Sequence, residues 1–267
     1  MFVIGERING QFTAIGDAIA AKDPKPVQEM ALRQLAAGSV ALDINVGTRV
    51  PKEARGDVME WLVTSVREVT DAPLAIDTPS LDTMRRGVAL AALGGKAVIN
   101  SSTAQEDKLG GFMALAKEFS AGIICLAIDE NGVASTADAK TELGMRALAA
   151  AMEADVPIED VYLDPIILPV NCDQKAPEIA METINQFKLL SDPAPHVVVG
   201  LSNIGQGSRE RSLINRTFLA MAIAAGLDAS IHDPLDTELM NVVFTAEVLL
   251  NKSIYSDSYL TASRPIR

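Results

Sequence analysis

The 267-residue chain has little of what several classes of protein require. Its two cysteines and two histidines, Cys125, Cys172, His196 and His232, are isolated from one another and do not fall at metal-ligand spacings. This excludes a disulfide scaffold and argues against a histidine–cysteine metal centre, so we expect the chain to bind no metal. Aromatic residues make up 4% of the chain, although hydrophobic residues make up 48%. The core must therefore consist of aliphatic side chains, which is typical of sheets covered by helices.

Positive charge and long apolar stretches are also scarce. The chain has 23 lysines and arginines against 35 acidic residues, a formal net charge of −12. Because nucleic-acid binding depends on clustered cations that displace counterions, we expect no nucleic-acid partner. The sequence has no run of about 18 apolar residues, and its first residues do not form a basic segment followed by an apolar one. We therefore expect no membrane segment and a cytoplasmic location.

The sequence does contain a regular alternation of short β-branched runs and longer amphipathic segments. The runs predict strands at 2–4, 40–46, 74–77, 97–100, 122–128, 161–164, 197–199 and 228–231. Strands that alternate with helices pair in parallel through right-handed crossovers. Eight such units in a chain near the ~250 residues typical of the architecture predict an α/β fold, a (β/α)8 TIM barrel. We expect it to span residues 1–267 as a single domain, and a doubly wound open sheet is the alternative.

Polar residues follow the carboxyl ends of most of these strands. They are Asn9, Asp43, Asn45, Asp77, Asn100, Asp164, Ser202 and Asn203. In a (β/α)8 barrel this is the face where binding and catalysis occur. Taken singly, an acid or amide after a strand is also typical of a helix cap or a turn, especially Asp77 and Asp164, which precede prolines. Capping alone explains poorly a pattern that repeats around six strands.

This ring of residues is rich in carboxylates and amides and poor in cations, because only Arg7, Arg209 and Arg211 are near it in the sequence. The predicted strands contain no lysine, which argues against a Schiff-base aldolase. Acids between 228 and 236 would repel a phosphate. Carboxylates with amides suit a heterocycle whose guanidine-like edge gives two parallel hydrogen bonds to one carboxylate. A pterin ring has such an edge.

Seven segments together resemble a known family. They are 4–10 (IGERING), 41–47 (ALDINVG), 76–78 (IDT), 98–101 (VINS), 163–169 (LDPIILP), 200–204 (GLSNI) and 213–221 (LINRTFLAM). In this order and at these spacings they are similar to the pterin-binding methyltransferases that exchange a methyl group between methyltetrahydrofolate and a corrinoid/iron–sulfur protein. A similar domain occurs in cobalamin-dependent methionine synthase and, more distantly, in dihydropteroate synthase. The resemblance runs from Phe2 to about Tyr259.

The resemblance implies roles for the strand-end residues. Those implied to bind substrate are Asp77, Asn100, Asp164, Gly200, Ser202, Gln206, Asn9, Asn45 and Arg211. Asn203 and Asp43 are implied to be catalytic, with Asn203 near N5, the nitrogen that carries the methyl group. Neutral N5 is a poor leaving group, so it must gain positive character during transfer. An amide that strengthens its contact as N5 charges binds the transition state more tightly than the ground state.

The resemblance also implies the partners of the chain. The substrate is expected to be tetrahydrofolate or methyltetrahydrofolate, and the chain is expected to form a homodimer. Since the sequence has no cobalamin-binding Asp-x-His-x-x-Gly motif, we expect the cobalamin to arrive on a separate corrinoid protein. The direction of methyl transfer is left open. Two alternatives stay open as well: a dihydropteroate synthase-like enzyme, against which the shortage of cations for a pyrophosphate leaving group counts, and a non-catalytic folate-binding protein.

Overall fold

The predicted closed barrel is confirmed. In the computed structural model, which describes residues 1–263, eight parallel strands close into one barrel with helices between them. The last four residues of the predicted domain, 264–267, lie outside the described residues. None of the helices within the described range is long and apolar enough to cross a membrane.

The strands are β1 (Phe2–Asn9), β2 (Ala41–Asn45), β3 (Leu74–Asp77), β4 (Ala97–Thr103), β5 (Gly122–Leu126), β6 (Ile128–Asp129), β7 (Gly132–Val133), β8 (Val161–Asp164), β9 (His196–Gly200) and β10 (Ala229–His232). The α-helices are α1 (Thr13–Ala21), α2 (Pro24–Ala36), α3 (Arg55–Arg67), α4 (Leu81–Ala91), α5 (Glu106–Phe119), α6 (Ala137–Glu153), α7 (Ala176–Phe187), α8 (Arg211–Ala224), α9 (Thr237–Leu249) and α10 (Tyr259–Ala262). Short 3-10 helices are η1 (Lys52–Ala54), η2 (Ile158–Asp160) and η3 (Leu201–Asn203).

The barrel runs in the order β1, β2, β3, β4, β5, β8, β9, β10, and β10 pairs with β1 to close it. Phe2 lies opposite Ala229 at this closure. Strands β6 and β7 form a small antiparallel hairpin outside the barrel, directly after β5. Every barrel strand thus ends at the same face, where the polar residues named above were expected.

Several strand boundaries were predicted wrongly, most of all the end of β1, which continues to Asn9 instead of stopping at Ile4. Strand β4 continues to Thr103 instead of ending at Asn100, because Ser102 and Thr103 pair with Cys125 and Leu126 of β5 after a shift in register. The predicted strand 122–128 ends at Leu126, and its last residue belongs to the hairpin. Backbone pairing with a neighbouring strand overrides the polar character of the segment after Asn100.

Capping side chains mark the starts of several helices. Helix α2 begins at Pro24, where the Asp23 carboxylate accepts a hydrogen bond from the backbone N–H of Lys25 at 3.1 Å. Thr136 and Asp236 cap α6 and α9 in the same way, and the capped backbone N–H groups belong to Ala139 and Leu239. These caps fix where each helix leaves the polar face of the barrel.

The strands bury one apolar face against the helices and the other inside the barrel. The interior layer consists of Ile4, Ala41, Ala75, Val98, Ile124, Val198 and Ala229. Because successive strand side chains point to opposite faces, the neighbouring residues of each strand join the larger core under the helices. The interior layer is a packed floor, and the functional face lies above it.

Candidate active site

The side chains two residues beyond the apolar floor form the next layer of the barrel interior, because strand side chains alternate with a period of two. Those positions are Glu6, Asp43, Asp77, Asn100, Leu126, Asp164, Gly200 and Ile231, where Asp164 follows Tyr162, a partly buried side chain packed against the floor. Asp233 stands two residues further along, beyond Ile231. Three polar side chains of the layer are nearly inaccessible: Asp43 is 3% exposed, and Asn100 and Asp164 are each 8% exposed. The mouth of the barrel is therefore an acidic, hydrogen-bonding cavity on an aliphatic base.

Four predicted site residues lie in direct contact on one side of this mouth. The side-chain amide of Asn100 donates to Asp43 Oδ1 at 2.9 Å. That of Asn45 donates to Asp77 Oδ2 at 2.6 Å, while its own carbonyl accepts from the backbone N–H of Gly47 at 2.7 Å. Since each side-chain amide donates one N–H to a carboxylate, the orientation of both amides is fixed.

Burial and mutual repulsion control the protonation of the two carboxylates. Burial raises the pKa of Asp77 to about 6, although the hydrogen bond from Asn45 opposes the shift. Burial first, and then the nearby charge of Asp77, raise the pKa of Asp43 well above its ordinary value. The pair therefore holds a proton at a higher pH than exposed aspartates do.

Asp164 lies in the same layer on the strand β8 side. Its Oδ1 accepts from the backbone N–H of Ile166 at 2.7 Å, so the competing turn interpretation holds for one of its two oxygens. Burial raises its pKa to about 6, against the opposing effects of this hydrogen bond and of Lys140. Lys140, on α6, donates to the carbonyls of Pro165 and Ile166 and holds the loop after β8. The sequence does not reveal this contact, because Lys140 lies on a helix and nothing in the sequence relates it to the loop after β8.

A second group of residues surrounds the η3 turn after strand β9. The hydroxyl of Ser202 donates to Glu6, at 2.8 Å from Oε1 and 3.1 Å from Oε2. Arg211 donates from Nη2 to the backbone carbonyl of Ser202 at 3.2 Å. Burial raises the pKa of Glu6, and the hydrogen bond from Ser202 opposes the shift. Ser202 is thus held from both sides.

Asn203 ends this turn, and its side chain is exposed at the rim. Gly200 makes room for it, since a Cβ at position 200 would lie 3.2 Å from Asn203 Nδ2. Gln206 is also exposed, and its backbone N–H donates to the carbonyl of Asn203 at 3.1 Å. Asn9 lies at the end of β1, where its side chain accepts from the backbone N–H of Gln11 at 2.9 Å. Asn203 and Gln206 are thus both accessible to solvent.

Two arginines at this face are paired with acids. Arg7 approaches Asp233, with 3.4 Å between Nη1 and Oδ2, and its guanidinium carbon lies 4.0 Å from the ring centre of Phe12. Arg216 donates from Nη2 to Asp236 Oδ1 at 2.8 Å. These charges are largely neutralised by their partners.

Sequence reasoning missed Glu6 and Asp233. Each stands two residues after a side chain in or against the apolar floor, Ile4 for Glu6 and Ile231 for Asp233. The two-residue alternation within β1 and at the end of β10 could have found both. The β1 strand was predicted to stop at Ile4, so Glu6 was assigned to a loop.

Comparisons with known proteins bear on the family. Residues 6–232 match the family described as pterin binding enzymes. The chain is 24% identical over 266 residues to the methylcorrinoid:tetrahydrofolate methyltransferase of Eubacterium limosum, covering 99% of this chain and 96% of that protein. It is 28% identical to the methionine synthase of Mycobacterium leprae over 243 residues, 86% of this chain and 20% of that much longer protein.

Among solved structures, a dihydropteroate synthase of Yersinia pestis bound to a pterine-sulfa conjugate superposes with a TM-score of 0.69. It is 16% identical, and the match covers 93% of both chains. At this identity the likeness shows the shared barrel alone. The family match spans most of the chain, which confirms both the family indicated by the seven motifs and the expectation of an enzyme: the chain belongs to the pterin binding enzymes.

Proposed function

We propose that this protein exchanges a methyl group between N5 of tetrahydrofolate and the cobalt of a corrinoid carried by a separate protein. The observation that carries the proposal is the layer of Asp77, Asn100 and Asp164 at the barrel mouth, where Asn100 and Asp164 are buried and Asp77 is half-buried, together with the exposed Asn203 on the turn after β9. The similarity to a methylcorrinoid:tetrahydrofolate methyltransferase, which extends over nearly the full length of both chains, supports the same reaction. In this proposal the layer at the barrel mouth receives the pterin, and the partner approaches the side where Asn203 is exposed.

The buried layer suits the donor edge of a pterin. Asp77 and Asp164 each present a carboxylate whose pKa is about 6, so both are ionised above that pH and accept hydrogen bonds. The side-chain amide of Asn100 donates to Asp43, and its carbonyl oxygen is oriented as an acceptor for the ring. The 2-amino group and ring N–H groups of a pterin are donors that match these acceptors.

Asn203 would act on the reacting nitrogen. During transfer the bond between N5 and the methyl carbon breaks, and the electron pair of Co(I) forms the new carbon–cobalt bond. The electrons released to N5 are stabilised by a proton or a strong hydrogen bond, and in this proposal the exposed amide of Asn203 strengthens its contact as charge develops. In the opposite direction N5 attacks the methyl carbon, the carbon–cobalt bond breaks and its electron pair stays on the metal as Co(I), and the same transition state includes the contact with Asn203.

The dihydropteroate synthase alternative receives less support. That reaction needs cations for a pyrophosphate leaving group, and two of the arginines at this face, Arg7 and Arg216, are paired with Asp233 and Asp236. The resemblance to dihydropteroate synthase structures lies below 20% identity and concerns the fold. A folate-binding protein without activity would bind the pterin but would not change a corrinoid.

The proposal is tested by following the corrinoid spectrum in both directions. Purified protein is mixed either with methyltetrahydrofolate and Co(I) cobalamin or with tetrahydrofolate and methylcobalamin. We expect conversion between the methylated and unmethylated corrinoid, and the faster direction shows the preferred one. Folate binding by calorimetry without any spectral change would support the non-catalytic alternative and contradict the proposal.

Asn203→Ala separates catalysis from binding. Because the proposed contact strengthens only as N5 charges, we expect kcat to fall by roughly 100-fold while the Kd for methyltetrahydrofolate changes by less than about threefold. Glu210→Ala, at an exposed position of the same loop that has no assigned role, is the matched comparison. An equal loss of kcat and affinity in Asn203→Ala would make Asn203 a simple substrate contact.

A further inference from the structure

The carboxylate of Glu6 enters the barrel mouth from β1 and is not used by the binding scheme above. It lies 196 positions before Ser202 in the sequence, yet both of its oxygens accept from the Ser202 hydroxyl. The charged groups around Glu6 are Asp233, Arg211 and Arg7. Its charge also raises the pKa of Asp43, so Glu6 stands between the buried pair and the η3 turn.

The η3 turn has few internal constraints of its own. It contains three residues, Leu201–Asn203, and the backbone hydrogen bond that closes it runs from Ile204 N–H to the carbonyl of Leu201 at 3.2 Å. Leu201 is fully buried and anchors one end, whereas Asn203 at the other end is exposed. Short 3-10 segments have poor hydrogen-bond geometry and depend on outside contacts for their position.

Ser202, in the middle of the turn, provides those contacts. Its hydroxyl is held by Glu6 from inside the barrel, and its carbonyl is held by Arg211 from the start of α8. Arg211 can lie across the loop because position 205 is glycine, where a Cβ would lie 2.8 Å from the Arg211 Cγ. Strand β1 and helix α8 therefore grip the same residue from opposite sides.

We propose that Glu6 is a positioning residue: together with Arg211 it holds Ser202, and through Ser202 it sets the place of Asn203. The inference rests on the proposed function only for the role of Asn203. A catalytic group must be held within a fraction of an ångström of its productive position, and an exposed turn needs support to achieve this. Ser202, predicted to line the pterin pocket, is thereby reassigned to the support of its neighbour.

The coupling between Glu6 and Ser202 is measured by a double-mutant cycle. We expect Glu6→Ala and Ser202→Ala each to lower kcat by roughly tenfold, the effect of one charge-assisted hydrogen bond, with a change in folate Kd below about twofold. The double variant should be no slower than the slower single variant. Glu6→Gln keeps a carbonyl that accepts from the hydroxyl, so it should recover most of the activity. Ser212→Ala, exposed on the first turn of α8, is the control.

Hydrogen exchange supplies a readout that does not need activity. The amides of Ile204 and Gln206 donate within the turn, so peptides covering 201–206 should exchange faster in Glu6→Ala and Ser202→Ala than in wild type and Ser212→Ala. The positioning role of Glu6 would be overturned if hydrogen exchange were unchanged in folded variants. It would also be overturned if the losses of kcat in the two single variants multiplied in the double variant. A wild-type protein without methyl transfer would instead refute the proposed function, and exchange alone would then decide the role of Glu6.

Discussion

At the scale of single residues, Asp77 carries a charge that folding disfavours. Burial raises its pKa from an ordinary value of 3.8 to about 6, so the folded state favours the protonated form. Its contribution to stability is complete below the unfolded pKa and is lost as the pH rises through the folded one. At neutral pH and above, the ionised carboxylate therefore destabilises the folded protein. Its proposed role is to accept hydrogen bonds from the pterin.

Asp77→Asn should separate these two effects. We expect the free energy of unfolding to exceed that of wild type by about 2 kcal/mol near pH 8, and the difference to shrink towards zero as the pH falls from about 6 to about 4. The amide loses the charged acceptor, so folate affinity should fall by at least about tenfold. Chemical denaturation across this pH range and calorimetric titration measure both quantities.

The exposed acid Glu153, at the end of α6, is the comparison for this substitution. Glu153→Gln should leave folate affinity unchanged and shift stability by less than about 0.5 kcal/mol. If Asp77→Asn were less stable than wild type at about pH 8, the carboxylate would contribute a net favourable interaction to the fold, contrary to its raised pKa.

Residues differ in how far the sequence reveals them. Asp43, Asp77, Asn100 and Asp164 follow strands whose apolar runs are clear, and the structure brings them to one layer. Glu6 was missed because β1 continues through a polar segment. The partners of these residues, such as the contact of Asn45 with Asp77, depend on strand register, which a single sequence does not specify.

At the scale of elements, the turn after β2 carries a backbone requirement. Gly47 has a φ of +76°, and a Cβ there would lie 2.7 Å from the carbonyl carbon of Gly10, in the loop after β1. Its N–H also orients the side chain of Asn45, which contacts Asp77. This glycine therefore joins two loops of the site and fixes the direction of one amide.

Gly47→Ala should disturb both stability and binding. The strained φ and the backbone clash are expected to cost about 1–3 kcal/mol of unfolding free energy, and folate affinity should fall because Asn45 is released. Gly110→Ala is the matched control: position 110 lies within α5, where an added Cβ meets nothing within 4 Å, and it should gain up to about 1 kcal/mol. Equal effects in thermal unfolding would exclude a special role for Gly47.

Elements marked by a clear hydrophobic pattern in the sequence were predicted well, whereas elements whose length depends on pairing with a neighbouring strand were not. Strands β3 and β8 have the predicted bounds, since an apolar run that ends in an aspartate marks each of them. The β6–β7 hairpin was missed because each strand has two residues, too short for a period to be visible. The length of β4 depends on pairing with β5, a tertiary effect.

At the scale of the whole molecule, alternation of strands and helices was sufficient to predict the barrel, because few topologies accept eight parallel units. The surface carries a net charge of −12, which bears on encounter with partners but not on the fold. The homodimer and the cytoplasmic location stay predictions of the resemblance and of composition. They depend on surfaces and surroundings that a single barrel does not define.

The pairing of Phe2 with Ala229 has a consequence for synthesis of the chain. The first strand of the barrel cannot complete its pairing until the last one has been synthesised, since β1 pairs with β10 across 227 positions. Until then the growing sheet has two open edges, which are templates for pairing with other nascent chains. Translation that stalls after β9 leaves an apolar, unclosed sheet, so the final strand decides whether a nascent chain becomes a soluble barrel or a substrate for chaperones.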